Sequence, residues 1–242
     1  MDTLKINRKN VKMIAHRGLS GLECENTAAA FIAAANRSYY GIESDVHVTA
    51  DGKFIMHHDD TTGRVFTSDL KISQCSYKEL SLLCAKQDGK AAPSPFRRDL
   101  VIPTLEDYIT ICRRYSKTAV LEIKNEFTAD NIHRLLEEIE NLGFLENTVF
   151  ISFVWENLIK IRTFKPHQAL QFLTSSCEDG IIQKLIHHHI GLDAHFKSLT
   201  SDAVKRLHDV GLEVNCWTVN TTEDAEKLIN LGVNYITTNI LE

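Results

Sequence analysis

The feature that most constrains the fold of this chain is a regular alternation of short apolar runs with amphipathic stretches, which begins at Val11 and continues to the C-terminus. Such alternation is typical of βα units around a parallel sheet. Glycine follows three of the amphipathic stretches, at Gly143, Gly211 and Gly232, where a helix commonly ends. The pattern predicts an α/β fold in which eight strands close into a (β/α)8 TIM barrel.

The strands are predicted from apolar runs of four to six residues, and the helices from the stretches between them. We predict strands at 11–15, 41–46, 119–123, 149–153, 169–173, 190–194, 213–218 and 235–238. We predict helices at 27–36, 105–114, 129–142, 156–162, 179–187, 201–210 and 223–231. Three of these helices are expected to begin at Thr128, at Thr200 or Ser201, and at Thr222.

Residues 47–103 do not fit the repeat. A hairpin is predicted around Asp51-Gly52, and an irregular stretch rich in glycine, serine and proline follows it. This segment is too long for an ordinary loop. We therefore expect one domain, 1–242, with 47–103 as a small insertion after the second strand that rises over the C-terminal rim of the barrel. Residues 90–99 within it could equally form a mobile connector.

Composition and charge exclude several classes of protein. The chain has 242 residues and is 43% hydrophobic, which suits one large domain or two small ones, and a single domain is the simpler interpretation. A net charge of -5 argues against nucleic-acid binding. We find no secretory signal and no apolar run of about 18 residues, so we expect no stable membrane anchor. The six cysteines are scattered without metal-binding spacing, which favours reduced thiols and a cytoplasmic location.

Acidic residues cluster at the predicted strand ends. Glu43 and Asp45 are two residues apart on one strand, so they share a face. Glu122 on the third predicted strand can complete a three-carboxylate site, with Lys124 beside it as a cation for these acids or for a phosphate oxygen. Carboxylates held this close need a counter-charge, which a hard divalent cation supplies. The alternative is that the acids simply solvate the strand ends.

Two histidines also follow predicted strands. His16 and His58 can face the same barrel mouth, and imidazoles are suited to giving and taking protons near neutral pH. His57 should point to the opposite face of its extended run. A metal site at His187, His188 and His189 is the less favoured interpretation of that run, because a helix C-terminus by itself suits positive charge.

Several strings in this chain, taken together, resemble the glycerophosphodiester phosphodiesterase family. They occur in order over nearly the whole sequence, as AHRG (15–18), ENT (25–27), IESDV (42–46), TADG (49–52), HDDT (58–61), IPTLED (102–107), LEIK (121–124), SF (152–153) and WTVN (217–220).

The resemblance implies metal-dependent hydrolysis of a small-molecule glycerophosphodiester to glycerol phosphate and an alcohol. Mg²⁺ or Ca²⁺ would be bound by the three acids already named. Substrate would be bound by Arg17, Lys124, Glu25 and Trp217, with Trp217 at the pocket wall. His16 would act as base and His58 as acid. The residues leave open this assignment of acid and base, the choice of metal, and whether water or a substrate hydroxyl is the nucleophile.

Two positions depart from the family pattern. Cys24 stands where the family usually has proline, and Asn239 stands where it usually has aspartate. Neither change touches the proposed metal ligands or the histidine pair. Two other functions remain open: lysophospholipase D-type cleavage of lysophospholipids, and a noncatalytic barrel that binds phosphodiesters.

Overall fold

The computed structural model describes residues 2–86 and 97–242, and most of this chain belongs to one barrel. Its strands are β1 (Lys12–Ala15), β2 (Gly41–Val48), β3 (Phe54–Met56), β4 (Thr118–Ile123), β5 (Thr148–Ser152), β6 (Leu170–Thr174), β7 (Gly191–His195), β8 (Val214–Trp217) and β9 (Tyr235–Thr238). Its helices are α1 (Ala28–Ala35), α2 (Tyr77–Leu80), α3 (Leu105–Arg114), α4 (Ala129–Asn141), α5 (Trp155–Phe164), α6 (Asp179–His188), α7 (Ser201–His208) and α8 (Thr222–Leu231).

Eight of the strands run parallel, in the order β8, β7, β6, β5, β4, β2, β1, β9. Between the two end strands, the amide of Asn234 donates to the carbonyl of Val214, and the amide of Val219 donates to the carbonyl of Thr237. These bonds leave the barrel nearly closed. The structure thus confirms the (β/α)8 TIM barrel predicted from the alternation.

The helix ends follow the sequence signals closely. Thr128 and Thr200 cap α4 and α7 through their side chains, as predicted. α8 begins at Thr222, as predicted, and its cap is the preceding residue, because the hydroxyl of Thr221 accepts the hydrogen bond from the Asp224 amide. Gly232 ends α8 in the left-handed conformation, with φ of 93°.

The chain between β2 and α3 has an apolar cluster of its own. β3 pairs antiparallel with β2, which confirms the predicted hairpin around Asp51-Gly52. The cluster lies apart from the main core and consists of Ile55, Val65, Phe66, Ile72, Leu80, Leu83, Ala85, Leu100 and Ile102. Residues 87–96, which include most of the predicted 90–99 connector, lie outside the described residues.

Alternation along the barrel strands determines where the polar site can form. On β4, Ala119, Leu121 and Ile123 pack in the main core, so Val120 and Glu122 take the other face. Val120 belongs to a small cluster with Ile14, Ile151, Leu173 and Tyr235. Because one face of each strand packs outward against the helices, this second cluster fills the barrel interior, and Glu122 lies one step above it towards the strand ends.

Candidate active site

Three buried carboxylates meet where β2 and β4 lie side by side. Asp45 pairs in register with Glu122, and Glu43 lies two residues earlier on the same face of β2. One oxygen from each residue lies within 4.8 Å of the others. Burial and the charges of its two neighbours raise the pKa of Glu43 well above its ordinary value. Burial and the charge of Asp45 raise the pKa of Glu122 to about 7.

This donor set fits a hard divalent cation. All three groups offer carboxylate oxygens, the ligands that Mg²⁺ and Ca²⁺ prefer. Oδ1 of Asp45 is buried and forms no hydrogen bond within the described part of the chain. Nζ of Lys124 pairs with it at 3.5 Å, and a buried anionic oxygen without a hydrogen bond is stabilised by further positive charge. The sequence prediction of a three-carboxylate cluster is therefore matched by the geometry, which could hold a metal.

Two cations flank the triad. Nζ of Lys124 lies 2.8 Å from Oε1 of Glu122 and 3.5 Å from Oδ1 of Asp45, and Nε of Arg17 lies 3.7 Å from Oδ2 of Asp45. Burial would raise the pKa of Asp45, but the charges of Lys124 and Arg17 outweigh it and lower the pKa to about 2. Asp45 is therefore the most firmly ionised member of the triad.

A tight turn after β1 aims Arg17 at the acids. Arg17 has φ of 54°, and its backbone amide donates to Oε2 of Glu43 at 2.8 Å. Gly18 follows with φ of 75°, and a Cβ there would lie 2.7 Å from the backbone of Ala30. Only glycine fits this approach of the turn to α1. The glycine of the His-Arg-Gly string therefore has a structural reason.

Asn26 supports the triad from behind. Its Nδ2 donates to Oδ2 of Asp45 at 2.8 Å, and its Oδ1 accepts from the hydroxyl of Ser44 at 2.7 Å. Asn26 is buried, and both halves of its amide are therefore satisfied. Asn26 is the middle residue of the ENT string, and no role was predicted for it from the sequence.

His16 is held by a neutral partner. Its Nδ1 donates to Oδ1 of Asn239 at 2.7 Å, which leaves Nε2 free of the proton in the uncharged ring. Burial, and then the charge of Arg17, lower the pKa of His16 to about 4. His16 is therefore neutral at physiological pH and can accept a proton at Nε2.

His58 is held by an anionic partner. Its Nδ1 lies 2.6 Å from Oδ1 of Asp59, so the ring donates to a carboxylate. The pKa of His58 is lowered overall, because burial and the charges of Arg17 and Lys124 together outweigh the carboxylates of Asp45 and Asp59. A carboxylate on Nδ1 favours the protonated ring, in which Nε2 carries a proton that it can donate.

Arg64 links the two sides of the site and was missed in the sequence analysis. Its Nε lies 2.5 Å from Oδ2 of Asp59, while its two terminal nitrogens bind Glu25 at 2.7 and 2.8 Å. Glu25 in turn accepts from Nη1 of Arg17 at 2.9 Å. Burial would raise the pKa of Glu25, but the hydrogen bond from Arg64 and the charge of Arg17 lower it to about 2. A continuous ionic chain therefore joins His58 to Arg17.

A cavity of about 110 Å³ opens between these groups. Of the predicted site residues, His16, Arg17, Glu43, His58, Glu122 and Trp217 line it. Asp45, Lys124 and Glu25 contact residues of the lining instead of forming it. The cavity is also lined by Asp193, a carboxyl within an otherwise apolar strand that the sequence analysis did not single out. Burial, and then the charge of Glu122, raise the pKa of Asp193 well above its ordinary value.

The other histidines lie outside this cavity. His57 is buried in the segment after β2, where its Nε2 donates to the carbonyl of Thr61 at 3.0 Å and its ring packs 5.7 Å from that of Phe66. His187 and His188 lie at the C-terminal end of α6. Within residues 2–86 and 97–242, the carboxylate cluster is the one group of at least three metal-ligating side chains.

The side chain of Asn220 accepts a hydrogen bond from the backbone amide of Asn239 at 2.9 Å.

Comparison with known proteins gives this geometry a family. The sequence model of the Glycerophosphoryl diester phosphodiesterase family matches residues 16–242, so the match begins at His16. The chain belongs to this family. Family membership and fold together support an enzyme of the phosphodiesterase kind.

Relatives with low sequence identity align over almost the full length of this chain. The glycerophosphodiester phosphodiesterase of Bacillus subtilis is 26% identical over 93% of this chain and 82% of its own. Glycerophosphodiester phosphodiesterase 1 of Mus musculus is 26% identical over 97% of this chain and 80% of its own.

Solved structures agree with the fold. A phosphodiesterase of Oleispira antarctica, solved in complex with the product sn-glycerol-3-phosphate, superposes with a TM-score of 0.81 at 25% identity, covering 94% of this chain and 92% of its own. A glycerophosphodiester phosphodiesterase of Parabacteroides distasonis superposes with a TM-score of 0.80 at 27% identity, covering 95% and 93%. In the part of this chain that the structure describes, no helix has both the length and the apolar character needed to cross a membrane.

Proposed function

We propose that this protein is a metal-dependent phosphodiesterase that hydrolyses glycerophosphodiesters to glycerol phosphate and an alcohol. One observation carries the proposal. A triad of carboxylate oxygens within 4.8 Å and two histidines with engaged Nδ1 atoms surround the same cavity. Each imidazole therefore keeps Nε2 for chemistry at a phosphate bound near the triad.

In this proposal Glu43, Asp45 and Glu122 hold a divalent cation, Mg²⁺ or Ca²⁺. When bound, the cation supplies positive charge that offsets the negative charge building on the phosphate oxygens. The observation that supports this cation site is the cluster of three carboxylates, in which Oδ1 of Asp45 forms no hydrogen bond within the described residues.

Arg17 and Lys124 orient the diester and share its charge. Nε of Arg17 is buried without a hydrogen-bond partner among the described residues, so it is available to a phosphate oxygen. Glu25 fixes the other end of the guanidinium, which keeps the fork in one orientation. Lys124, already next to two carboxylates of the triad, adds positive charge where a phosphate would lie.

The histidines divide the proton transfers. His16 keeps its own proton on Nδ1, so Nε2 takes the proton of the nucleophile, which is water or the substrate's neighbouring hydroxyl. Attack by water gives glycerol phosphate directly, whereas attack by the hydroxyl gives a cyclic glycerol phosphate that water then opens. His58 donates from Nε2 to the departing alcohol oxygen, and Asp59 stabilises the charged ring until that transfer. The environments favour these roles, because the neutral Asn239 partner suits a base and the anionic Asp59 partner suits an acid.

Residues 47–103 complete the site in this proposal as an insertion over the C-terminal rim that contacts the variable alcohol. The support is that the segment supplies His58, Asp59 and Arg64 and has its own apolar cluster. Replacing 89–99 with a short flexible linker should change the relative rates across substrates and leave the melting temperature nearly unchanged. Unchanged relative rates would contradict this role.

Hydrolysis of a substrate panel tests the main proposal. The panel contains glycerophosphocholine, glycerophosphoethanolamine and their lysophospholipid counterparts, each assayed with and without chelator. We expect release of glycerol phosphate from the first two, loss of activity in chelator, and recovery with Mg²⁺ or Ca²⁺. Full activity in excess chelator, or faster cleavage of the lysophospholipids, would overturn the proposal.

Variants of the triad test the metal site separately from turnover. Added cation should raise the melting temperature, because a ligand that binds only the folded state stabilises it. Glu43→Gln, Asp45→Asn and Glu122→Gln should each weaken this rise and lower the rate, whereas Asp202→Asn, an exposed carboxylate on α7, should change neither. Equal cation-dependent stabilisation in all four proteins would place the metal elsewhere.

A further inference from the structure

One carboxyl in the cavity has no task in the proposed chemistry. Asp193 lies on β7, opposite β2 in the ring of eight strands, and it is 1% exposed. Its Oδ1 is buried and has no hydrogen-bond partner within residues 2–86 and 97–242. Buried polar atoms are almost always hydrogen-bonded, so an exception that lines a cavity indicates a partner that binds there.

Asp193 is set apart from the triad. It is not among the carboxylates whose ligand atoms gather within 4.8 Å, so it is not a fourth member of that group. Its strand neighbours carry it on the wall furthest from β2, where Leu173 is its register partner on β6. A ligand whose phosphate lies at the triad would reach Asp193 with the far end of its organic part.

Much of the wall around Asp193 is apolar, although Thr218 and Thr237 also line the cavity. The register partner of Asp193 on β8 is Asn215, whose amide is already hydrogen-bonded to Gln171 and Thr237. Ile151, Leu173, Phe153 and Trp217 line the same cavity. The indole nitrogen of Trp217 is already engaged, since it donates to the backbone carbonyl of Asp193 at 3.2 Å. This side therefore offers carbon surface and one unpartnered carboxyl, which suits a short carbon skeleton that ends in a hydrogen-bond donor.

Resting on the proposed function, we propose that Asp193 binds the free terminal hydroxyl of the substrate's glycerol moiety and selects diesters that carry it. A carboxyl accepts a hydrogen bond from a hydroxyl whether or not it is protonated. A substrate without that hydroxyl would leave the carboxyl buried and unpaired, which is how such sites reject close analogues. A lysophospholipid acylated at that position has no proton to donate, so Asp193 also disfavours that class.

The test compares two diesters that differ in one group. Glycerophosphocholine is set against the phosphocholine diester of 1,2-propanediol, which keeps the neighbouring hydroxyl and lacks the terminal one. We expect kcat/KM to favour glycerol on the order of a hundredfold in the unmodified protein, far below the largest discrimination known for such sites. Asp193→Val should abolish the preference. Asp193→Asn, which keeps an acceptor oxygen, should retain part of it, and the distant control Asp202→Asn should retain all of it.

Two results of this comparison would overturn the assignment. One is an undiminished preference for glycerol in Asp193→Val. The other is an equal loss on both substrates, which would make Asp193 structural. The methyl ester of glycerol phosphate, which has no cation, should behave as glycerophosphocholine does; if the effect of Asp193→Val vanished with it, the carboxyl would bind a cationic head group instead.

Stability gives a second readout that a structural role would not produce. Replacing an unpartnered buried carboxyl with an uncharged side chain removes a desolvation cost. We therefore expect the melting temperature of Asp193→Asn and Asp193→Val to stay level or rise by a few degrees. A clear fall in both variants would contradict the proposal.

Ligand binding separates this inference from the proposed function. Calorimetry on the intact protein would compare glycerol phosphate with 1,2-propanediol phosphate. If no glycerophosphodiester were hydrolysed but the protein still bound glycerol phosphate more tightly, and Asp193→Val removed that difference, the proposed function would fail and the hydroxyl site would stand. If glycerophosphodiesters were hydrolysed and the two ligands bound equally, the proposed function would stand and the hydroxyl site at Asp193 would fail.

Discussion

The two histidines that face the cavity are supported in contrasting ways. His16 follows a barrel strand and donates to a neutral amide, Asn239, which comes from the end of the last strand. His58 follows β3 in the segment after β2 and donates to Asp59, an anion held by Arg64. Support by an amide keeps an imidazole neutral, and support by a carboxylate stabilises its charged form.

In the proposed mechanism, the groups that hold Nδ1 distinguish the base from the acid. Both rings are partly buried, and burial lowers the pKa of each. What differs is the charge on the group that holds Nδ1. Asn239 follows the last barrel strand and Asp59 lies in the segment after β2, so the two histidines are held by different parts of the fold.

Removing either imidazole ring should have the largest effect on turnover. His16→Ala and His58→Ala should each lower turnover on the order of a hundredfold or more, because general acid-base catalysis contributes that much. The double variant should lose less than the product of the two single losses, since both groups act on one transition state. Steady-state rates with glycerophosphocholine would measure this.

A substrate with a very good leaving group distinguishes the two roles. It needs little help from an acid, so His58→Ala should regain most of its rate and His16→Ala should not. The opposite pattern of rescue would exchange the assignments of base and acid.

Breaking the ionic chain should have the next largest effect. Arg64→Met removes the fork that holds Asp59 and Glu25, so both His58 and Arg17 lose orientation. We expect turnover to fall about tenfold, as is typical for groups that orient the residues of a site. Arg64→Lys should recover little, because lysine cannot hold two carboxylates in a fixed fork.

The matched control for Arg64 is Arg206. Arg206 also bridges two carboxylates, Asp179 and Asp202, but lies on α7 away from the cavity. Arg206→Met should leave the rate unchanged. If both arginine variants lost activity equally, the effect would be one of general stability and not of the chain to His58.

Replacing Asn239, the neutral partner of His16, with an anionic residue should shift the pH dependence of kcat/KM. In Asn239→Asp a carboxylate would accept from His16 and stabilise its charged form, raising the pKa from about 4 towards the ordinary imidazole value. Since the base must be neutral, the acid limb of kcat/KM should move to higher pH. Activity should fall below about pH 6 and change little near pH 8.

Asn220→Asp is the control for this shift. It adds a carboxylate in the same loop region, where Asn220 contacts the backbone of residue 239 and not His16. An acid limb that moved as far in this variant as in Asn239→Asp would show that net charge, and not contact with the ring, sets the pKa.

The smallest expected effect on rate belongs to the neighbouring histidine. His57→Ala should be nearly silent in turnover, because His57 lies outside the cavity. Its contacts with Thr61 and Phe66 predict a lower melting temperature instead. A loss of turnover as large as that of His58→Ala would mean that the orientation of this segment, and the catalytic assignment with it, is wrong.

The sequence alone determined the eight barrel strands, the seven helices between them and the acidic cluster, but not the short helix α2. These follow from local rules: side chains alternate along a strand, helices begin at threonine caps and end near glycine, and polar groups collect at the carboxyl ends of barrel strands. Glu43 and Asp45 share a face whatever the rest of the chain does. Thr222, predicted to open the last helix, is its first helical residue, and the adjacent Thr221 is the cap.

Only the tertiary structure decided which groups support these residues. Asn239 meets His16 across 223 positions of the chain, and Arg64 meets Glu25 across 39. Asp193 was an unremarked acid in an apolar strand until the barrel placed it, unpartnered, in the cavity. No local pattern encodes such pairings, because closure of the barrel and folding of the segment after β2 set these distances. Contacts between residues far apart in the sequence can therefore be identified only from the folded structure.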